Sequence, residues 1–180
     1  MNVAHDISEI QGKVGPSCVT IGNFDGVHKG HQRLFERVRE RARAKGESPV
    51  VVTFDPHPLR VLAEKSPPFI TLTEQKLELI AEQGMTWTLC LPFSRGMAAL
   101  EPAEFVLRYL LEPLAMRHIV IGYDYAFGRG RSGNFELLKI LGRDMGFTVE
   151  QVGPVLVDDA VVSSTRVRDM VQAGQVWEVR

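Results

Sequence analysis

The amino-acid sequence predicts an α/β protein: a mainly parallel sheet of about five strands with helices on both faces. Three observations carry that prediction. Short apolar runs of strand length recur along the chain, each followed by a stretch whose apolar residues fall at helical spacing. Strands separated in this way need crossover connections, which a parallel sheet supplies and a hairpin does not. The 180 residues, 44% of them hydrophobic, suffice for one core that buries ~70% of the unfolded surface, so a single domain over residues 1–180 is expected.

In chain order, Ser17-Cys18-Val19-Thr20-Ile21 reads as a covered strand. From Gln32 the residues Leu34, Phe35, Val38 and Ala42 form one helical stripe ending near Lys45-Gly46. Pro49 to Phe54 is the second strand, stopped by the turn Asp55-Pro56-His57-Pro58. Thr73 begins a helix through Leu77, Leu79 and Ile80 that ends at Gly84, and Thr86 to Leu91 is the third strand. Pro102 opens a helix that ends before Pro113, and His118 to Tyr123 follows as a strand. Asn134 opens a helix to about Met145, Phe147 to Val152 is the fifth strand, and Ser164 starts a last helix to Gly174. The loop from Pro92 to Glu101 and a hairpin-like 155–163 segment are placed at the rim. Ligands of such sheets bind beyond the carboxyl ends of the strands, so the turns after strands one, two and four are the ones to inspect.

Formal net charge is −1 and like charges do not cluster, so no footprint for nucleic acid is expected and any anionic ligand must be held locally. The first residues lack a basic region followed by an apolar core, and no apolar run approaches the ~18 residues of a membrane span, which points to a cytoplasmic protein without a membrane partner. Cys18 and Cys90 read as reduced core residues.

The first turn carries the densest chemistry. Gly22, Gly26 and Gly30 let backbone approach a ligand, helix amides near His31 offer free N–H groups, and His28 and His31 add two donors. An anion site follows, and the absence of GxxxxGK[ST] spacing excludes a Walker loop. Two other readings stand beside it: an ordinary helix start with a solvated His28, or a zinc ion shared by His28, His31 and His57. In the last helix, Ser164 and Thr165 stand at the expected N-cap, with Arg168 one turn below and Arg166 directed elsewhere. Their hydroxyls, amides and guanidinium could converge on phosphate or simply cap a surface helix. His57, fixed between Pro56 and Pro58, is either a ligand contact or an exposed turn residue. Gly128-Arg129-Gly130-Arg131-Ser132-Gly133 fits GxGxxG but follows the fourth strand rather than the first, so a loop over a ligand fits better than a redox dinucleotide site.

The arrangement GNFDGVHKGH, Gly22 to His31, resembles the HxGH signature of the nucleotidyltransferase superfamily. In this extended form it is similar to the adenylyltransferase module of bacterial bifunctional riboflavin kinase/FAD synthetases. Thr53-Phe54-Asp55-Pro56-His57-Pro58 is similar to that family's second-strand motif. Gly122 to Gly128, with Arg131 and Gly133, is similar to its fourth-strand motif, and Ser163 to Arg168 to its final one. Two departures are visible. Tyr125-Ala126 replaces part of the usual Asp-Phe-Arg-Phe-Gly, leaving a basic contact near the flavin either lost or supplied by Arg129 or Arg131. The family continues into a riboflavin kinase domain, whereas this sequence ends at Arg180, so one FMN adenylyltransferase domain without the kinase domain is expected.

The resemblance implies a Rossmann-like nucleotidyltransferase fold and the reaction of FMN with ATP to give FAD and pyrophosphate, with Mg²⁺ accompanying ATP. It implies ATP contacts from Gly22, Asp25, His28, His31, Ser164, Thr165 and Arg168, with His28 and His31 catalytic through electrostatics. Asp25 has the alternative of bracing the turn through backbone amides. Phe54, His57, Asp124 and Phe127 are the implied flavin contacts, and no metal ligand is assigned. The substrates are small molecules, and the absent riboflavin kinase domain is the one macromolecular partner the family suggests. A nucleotidyltransferase for another phosphate ester and a non-catalytic flavin-binding module are the alternatives.

Overall fold

The computed structural model describes residues 1–64 and 66–178. In chain order the elements are β1 (Asn2–Ala4), α1 (Ile7–Ile10), β2 (Ser17–Ile21), α2 (Lys29–Lys45), β3 (Ser48–Phe54), α3 (Pro58–Leu62), α4 (Thr73–Glu82), β4 (Trp87–Leu91) and α5 (Arg95–Ala98). Next come α6 (Pro102–Phe105), continued by a π-helical stretch Val106–Leu111, then β5 (Met116–Gly122), a 3₁₀ turn Arg129–Arg131, α7 (Phe135–Met145) and β6 (Thr148–Val152). The strands β7 (Leu156–Val157) and β8 (Ala160–Val161) and the helix α8 (Ser164–Gln172) complete the order.

Six strands form one parallel sheet in the order β1-β4-β3-β2-β5-β6, and β7 and β8 pair as a separate antiparallel hairpin. From β2 the chain steps outward through β3 to β4, then returns to lay β5 on the other side of β2. The reversal opens a crevice at the carboxyl ends of β2 and β5, where an α/β sheet takes its ligand.

Strand alternation explains the two cores. Val19 and Ile21, Val50 and Val52, and Ile119 and Ile121 face one side, where they meet Ile10 of α1, Phe105 of α6, and Leu138 and Leu141 of α7. Cys18, Val51 and Val120 face the other, against Leu34, Phe35, Val38 and Ala42 of α2 and Ile80 of α4. Helices therefore cover both faces as expected. Cys18 and Cys90 are buried and unbonded.

The structure departs from the sequence reading in five places. The sheet has a sixth strand, β1, whose three residues are too few to show a period; it borders β4 through Asn2 opposite Trp87. The helix expected from Gln32 starts at Lys29, because the polar first turn carries no apolar stripe yet is held by Gln32 Nε2 donating to the Val27 carbonyl. The turn at His57 and the loop after Pro92 contain the short helices α3 and α5. The last helix is capped by Ser163, one residue before the expected Ser164, and ends at Gln172 rather than Gly174.

Gly142 tests the packing of α7. Alanine is favoured over glycine within a helix by ~1 kcal/mol, but a Cβ here would sit 2.6 Å from the Phe147 carbonyl oxygen, which belongs to backbone and cannot swing away. Gly142→Ala is expected to lower stability by about 1–3 kcal/mol in urea unfolding. A neutral or stabilised variant would contradict the close approach of α7 to the start of β6.

Candidate active site

The turn after β2 is shaped by an inward-folded phenylalanine. Phe24 is buried, 4.8 Å from the Phe35 ring and edge-on to His31 at 5.2 Å between centroids. Gly22 makes room for it, since any Cβ there would come within 3.0 Å of the Phe24 ring. Phe24 and Val27 both adopt left-handed backbone, at φ 51° and 40°, a strained choice for a β-branched valine. Such a turn persists only when its surroundings over-determine it.

Asp25 does so. Its carboxylate accepts hydrogen bonds from the Ile70 amide (3.0 Å), the Thr71 amide (3.1 Å), the Thr71 hydroxyl (3.3 Å) and Arg168 Nη2 (2.6 Å). Its carbonyl accepts from Ser164 Oγ at 3.0 Å, and the next amide, Gly26, donates to Thr71 Oγ1 at 3.2 Å. Burial pushes the carboxyl up, but the Arg168 hydrogen bond and the amides of Thr71 and Ile70 outweigh it and hold the group below its ordinary value. The oxygens of Asp25 are spent on protein partners, which is the bracing role.

His28 is the N-cap residue of α2 without using its side chain as a cap. Its Nδ1–Cε1 edge lies where a Cβ on Gly30 would be 3.1 Å away, so Gly30 lets the ring fold over the helix start. There it stacks on His31, centroids 3.6 Å apart. Both Nδ1 atoms are shielded from solvent and have no hydrogen-bond partner among the described residues, and Arg168 Nε shares that condition. Burial pushes His28 down to about 4 against the pull of Asp124 and Asp25, and burial followed by the neighbouring His28 pushes His31 well below its ordinary value. Both rings are therefore neutral at pH 7, each carrying one N–H. Buried polar atoms without partners are uncommon in folded proteins, and three at one end of a cleft describe a place built for a polar ligand.

The α8 arm closes that end. The Ser163 hydroxyl accepts from the Arg166 amide at 3.2 Å, Ser164 reaches Asp25, and Thr165 lines the cleft. Arg166 Nη1 turns instead toward the Val157 carbonyl at 3.4 Å, in the β7–β8 hairpin. Arg168 is only 12% exposed, its guanidinium held by Asp25 through one nitrogen with Nε left over.

The opposite end is aromatic. Phe54 meets Phe93 edge-on at 5.4 Å, Phe127 stacks with Tyr125 at 5.5 Å, and Phe105 lies 5.8 Å from Phe127. Gly133 is required behind this wall, because a Cβ would fall 2.6 Å from the Phe127 ring. His57 Nδ1 accepts from the Leu59 amide at 3.1 Å and caps α3, which leaves the ring proton on Nε2. Burial pushes His57 down to about 4. Asp124 is exposed at the rim, Arg131 lines the cleft, and Arg129 is paired with Glu101.

One cleft of about 620 Å³ joins the two ends, lined by Gly22, Asp25, His28, His31, Phe54, His57, Asp124, Phe127, Ser164, Thr165 and Arg168; Gly26, expected to let backbone approach a ligand, does not line it and instead makes room for the Ile70 side chain, 2.9 Å from where its Cβ would lie. Sequence reasoning missed Phe24, Phe93, Phe105 and Tyr125 as wall residues. The rim expected from Pro92 to Glu101 was the only pointer to Phe93. Among the described residues no group of three or more His, Cys, Asp or Glu could hold a metal ion, so His28, His31 and His57 do not make the zinc site that their residue types allowed.

Residues 11–166 match the family model described as FAD synthetase. The chain belongs to the FAD synthetase family. Curated relatives include the bifunctional riboflavin kinase/FMN adenylyltransferases of Pseudomonas fluorescens, 40% identical over 87% of this chain and 50% of that protein, and of Escherichia coli strain K12, 38% identical over 84% and 49%. The chain thus spans about half the length of the curated FAD synthetase relatives it matches. A Streptococcus pneumoniae structure described as a macrolide-efflux protein superposes with a TM-score of 0.87 at 31% identity, covering 99% of this chain and 59% of that one. In this FAD synthetase family member, no helix among the described residues is long and apolar enough to cross a membrane. The pantoate-beta-alanine ligase of Francisella tularensis shares the fold, with a TM-score of 0.63 at 14% identity over 99% of this chain and 78% of that one.

The buried histidines make the family site acid-sensitive. Free histidine titrates near 6.5, whereas burial pushes His28 and His57 down to about 4 in the folded protein and His31 well below the ordinary value. Between these values the unfolded chain binds more protons than the folded one, so stability is full above pH ~6.5 and falls as the pH drops toward 4. The urea midpoint is expected to decrease from pH 7 to pH 5, less steeply in His57→Asn. A midpoint that is flat or rises on acidification would contradict the neutral, buried state of these rings.

Proposed function

We propose that this chain is an FMN adenylyltransferase, forming FAD and pyrophosphate from FMN and ATP. The observation that carries the proposal is the pairing, in one cleft, of unpartnered buried nitrogens on His28, His31 and Arg168 with an aromatic wall at the far end. A triphosphate matches the first and an isoalloxazine ring the second. Family membership and the curated relatives support the same activity.

In this reading an FMN phosphate oxygen attacks the α-phosphorus of ATP in line, forming the new O–P bond as the bond to pyrophosphate breaks. A phosphate monoester, with a second pKa of ~6, is already mostly dianionic at pH 7, so no protein base is needed to make the nucleophile. The protein supplies position and charge stabilisation. His28 and His31 donate N–H groups to the triphosphate, and the polyanion raises their pKa values, drawing in protons as charge moves onto the leaving pyrophosphate. Arg168, oriented by Asp25, and Thr165 hold the remaining phosphate oxygens. Phe54, Phe93, Phe105 and Phe127 flank the flavin, with His57 Nε2–H, Asp124 and Arg131 as its polar contacts. Arg131 then stands in for the basic residue that Tyr125-Ala126 lacks.

Mg²⁺ fits as a companion of ATP rather than a resident ion: phosphate oxygens would supply most of its hard ligands, and Asp124, exposed and lining the same cleft, is the carboxylate free to share it, whereas Asp25 is already committed. Bound there, it would offset charge on the α-phosphoryl and pyrophosphate. The reading places the protein in the cytoplasm, acting on small molecules without nucleic acid. It treats residues 1–180 as one adenylyltransferase domain, with riboflavin phosphorylation belonging to the other half of the longer relatives.

Steady-state kinetics on three variants test the assignment. His31→Ala is expected to cost ~10²–10³ in kcat while the protein stays folded. Arg168→Ala is expected to raise the KM for ATP, and Arg166→Ala, whose side chain points to the hairpin, to do much less. Near-normal FAD formation by folded His31→Ala, or equal defects in the two arginine variants, would overturn it.

A further inference from the structure

The least expected charge in the molecule is Lys76, on α4, which is 6% exposed and does not line the cleft. A side chain needed only to fill that volume would be methionine, since burying an ammonium is costly without a specific partner. Such a partner is present: Lys76 Nζ donates to the Phe54 carbonyl at 2.9 Å. That carbonyl belongs to the last residue of β3, where the chain leaves the sheet for the turn that carries His57. One helical turn earlier, Thr73 Oγ1 donates to Asp55 Oδ1 at 2.8 Å, so α4 grips two successive residues where that turn begins. Beyond them His57 caps α3, and α3 presents Leu59 and Leu62 to the cleft.

We infer that Lys76 is a positioning residue for the flavin side of the site, fixing the end of β3 so that Phe54, His57 and α3 hold the shape that receives the isoalloxazine ring. The inference rests on the proposed function. It is selective, because the triphosphate end is held by a separate set of bonds: Asp25 to Ile70, Thr71, Ser164 and Arg168. Burial pushes the ammonium pKa down, opposed by the carboxylates of Asp55 and Asp25; the geometry stands without that shift.

The test measures binding of FMN, by quenching of its fluorescence, and separately of α,β-methylene-ATP, by calorimetry, to wild type, Lys76→Met and Thr73→Val. Loss of a hydrogen bond from a charged donor predicts about a tenfold weaker FMN complex for Lys76→Met, with the nucleotide affinity within about twofold of wild type. Thr73→Val should shift FMN affinity in the same direction by less, and it decides the question if Lys76→Met does not fold. Unchanged FMN affinity, or equal weakening of both ligands, overturns the inference by reducing Lys76 to a stability role. A wild-type protein that binds the nucleotide but not FMN would overturn the proposed function, and this inference with it.

Discussion

The site depends on what Asp25 holds. One buried carboxylate joins the left-handed turn after β2, the backbone at Ile70 and Thr71 that leads into α4, and the guanidinium of Arg168 on α8, while its carbonyl takes Ser164. These segments meet at the carboxyl ends of the strands, where the sheet ladder has stopped supplying partners. Without Asp25 the strained Phe24 and Val27 would relax, and Arg168 would be a buried cation without a counter-ion, a change that costs about 3–5 kcal/mol in buried pairs.

A second consequence of that arrangement is electrostatic. The Asp25–Arg168 pair is internally neutralised, and the two stacked histidines are uncharged, so the cradle is polar but not strongly cationic before substrate arrives. Under the proposed function, charge would be matched when the polyanion binds, which favours a site responsive to developing negative charge over one that grips phosphate unconditionally. The near-neutral chain, at −1 overall, adds no long-range field to override this local design.

Much of this was legible in the sequence, for identifiable reasons. Strands β2 to β5 carry apolar runs bounded by turn residues, β6 mixes Val149 and Val152 with Glu150 and Gln151, and α2, α4 and α7 carry clear stripes, so element type and a parallel sheet followed, though not the strand order. His28 and His31 were legible because two imidazoles three apart among glycines have few uses at a strand-to-helix turn. What stayed hidden depended on distant partners. Asp25 could be suspected of bracing its turn, but Ile70 lies 45 residues away and Arg168 lies 143 away, and no local pattern announces either. The aromatic wall gathers Phe54, Phe93, Phe105 and Phe127 from four parts of the chain. α3 was hidden because Pro58 reads as a breaker, and its apolar Leu59 and Leu62 face the cleft rather than a core stripe. Nothing local to Lys76 announces its burial, because its partner, the Phe54 carbonyl at the end of β3, lies 22 residues away.

In the proposed function, the cradle of His28, His31 and Arg168 serves attack on the α-phosphorus of a nucleoside triphosphate by the phosphate of a flavin. Parallel incubations of the protein with FMN, Mg²⁺ and ATP labelled at either the α- or the γ-phosphorus test it most directly. The α label is expected in the flavin product and the γ label in pyrophosphate, in equal amounts. Transfer of the γ label to the flavin, or pyrophosphate release that does not depend on FMN, would contradict it.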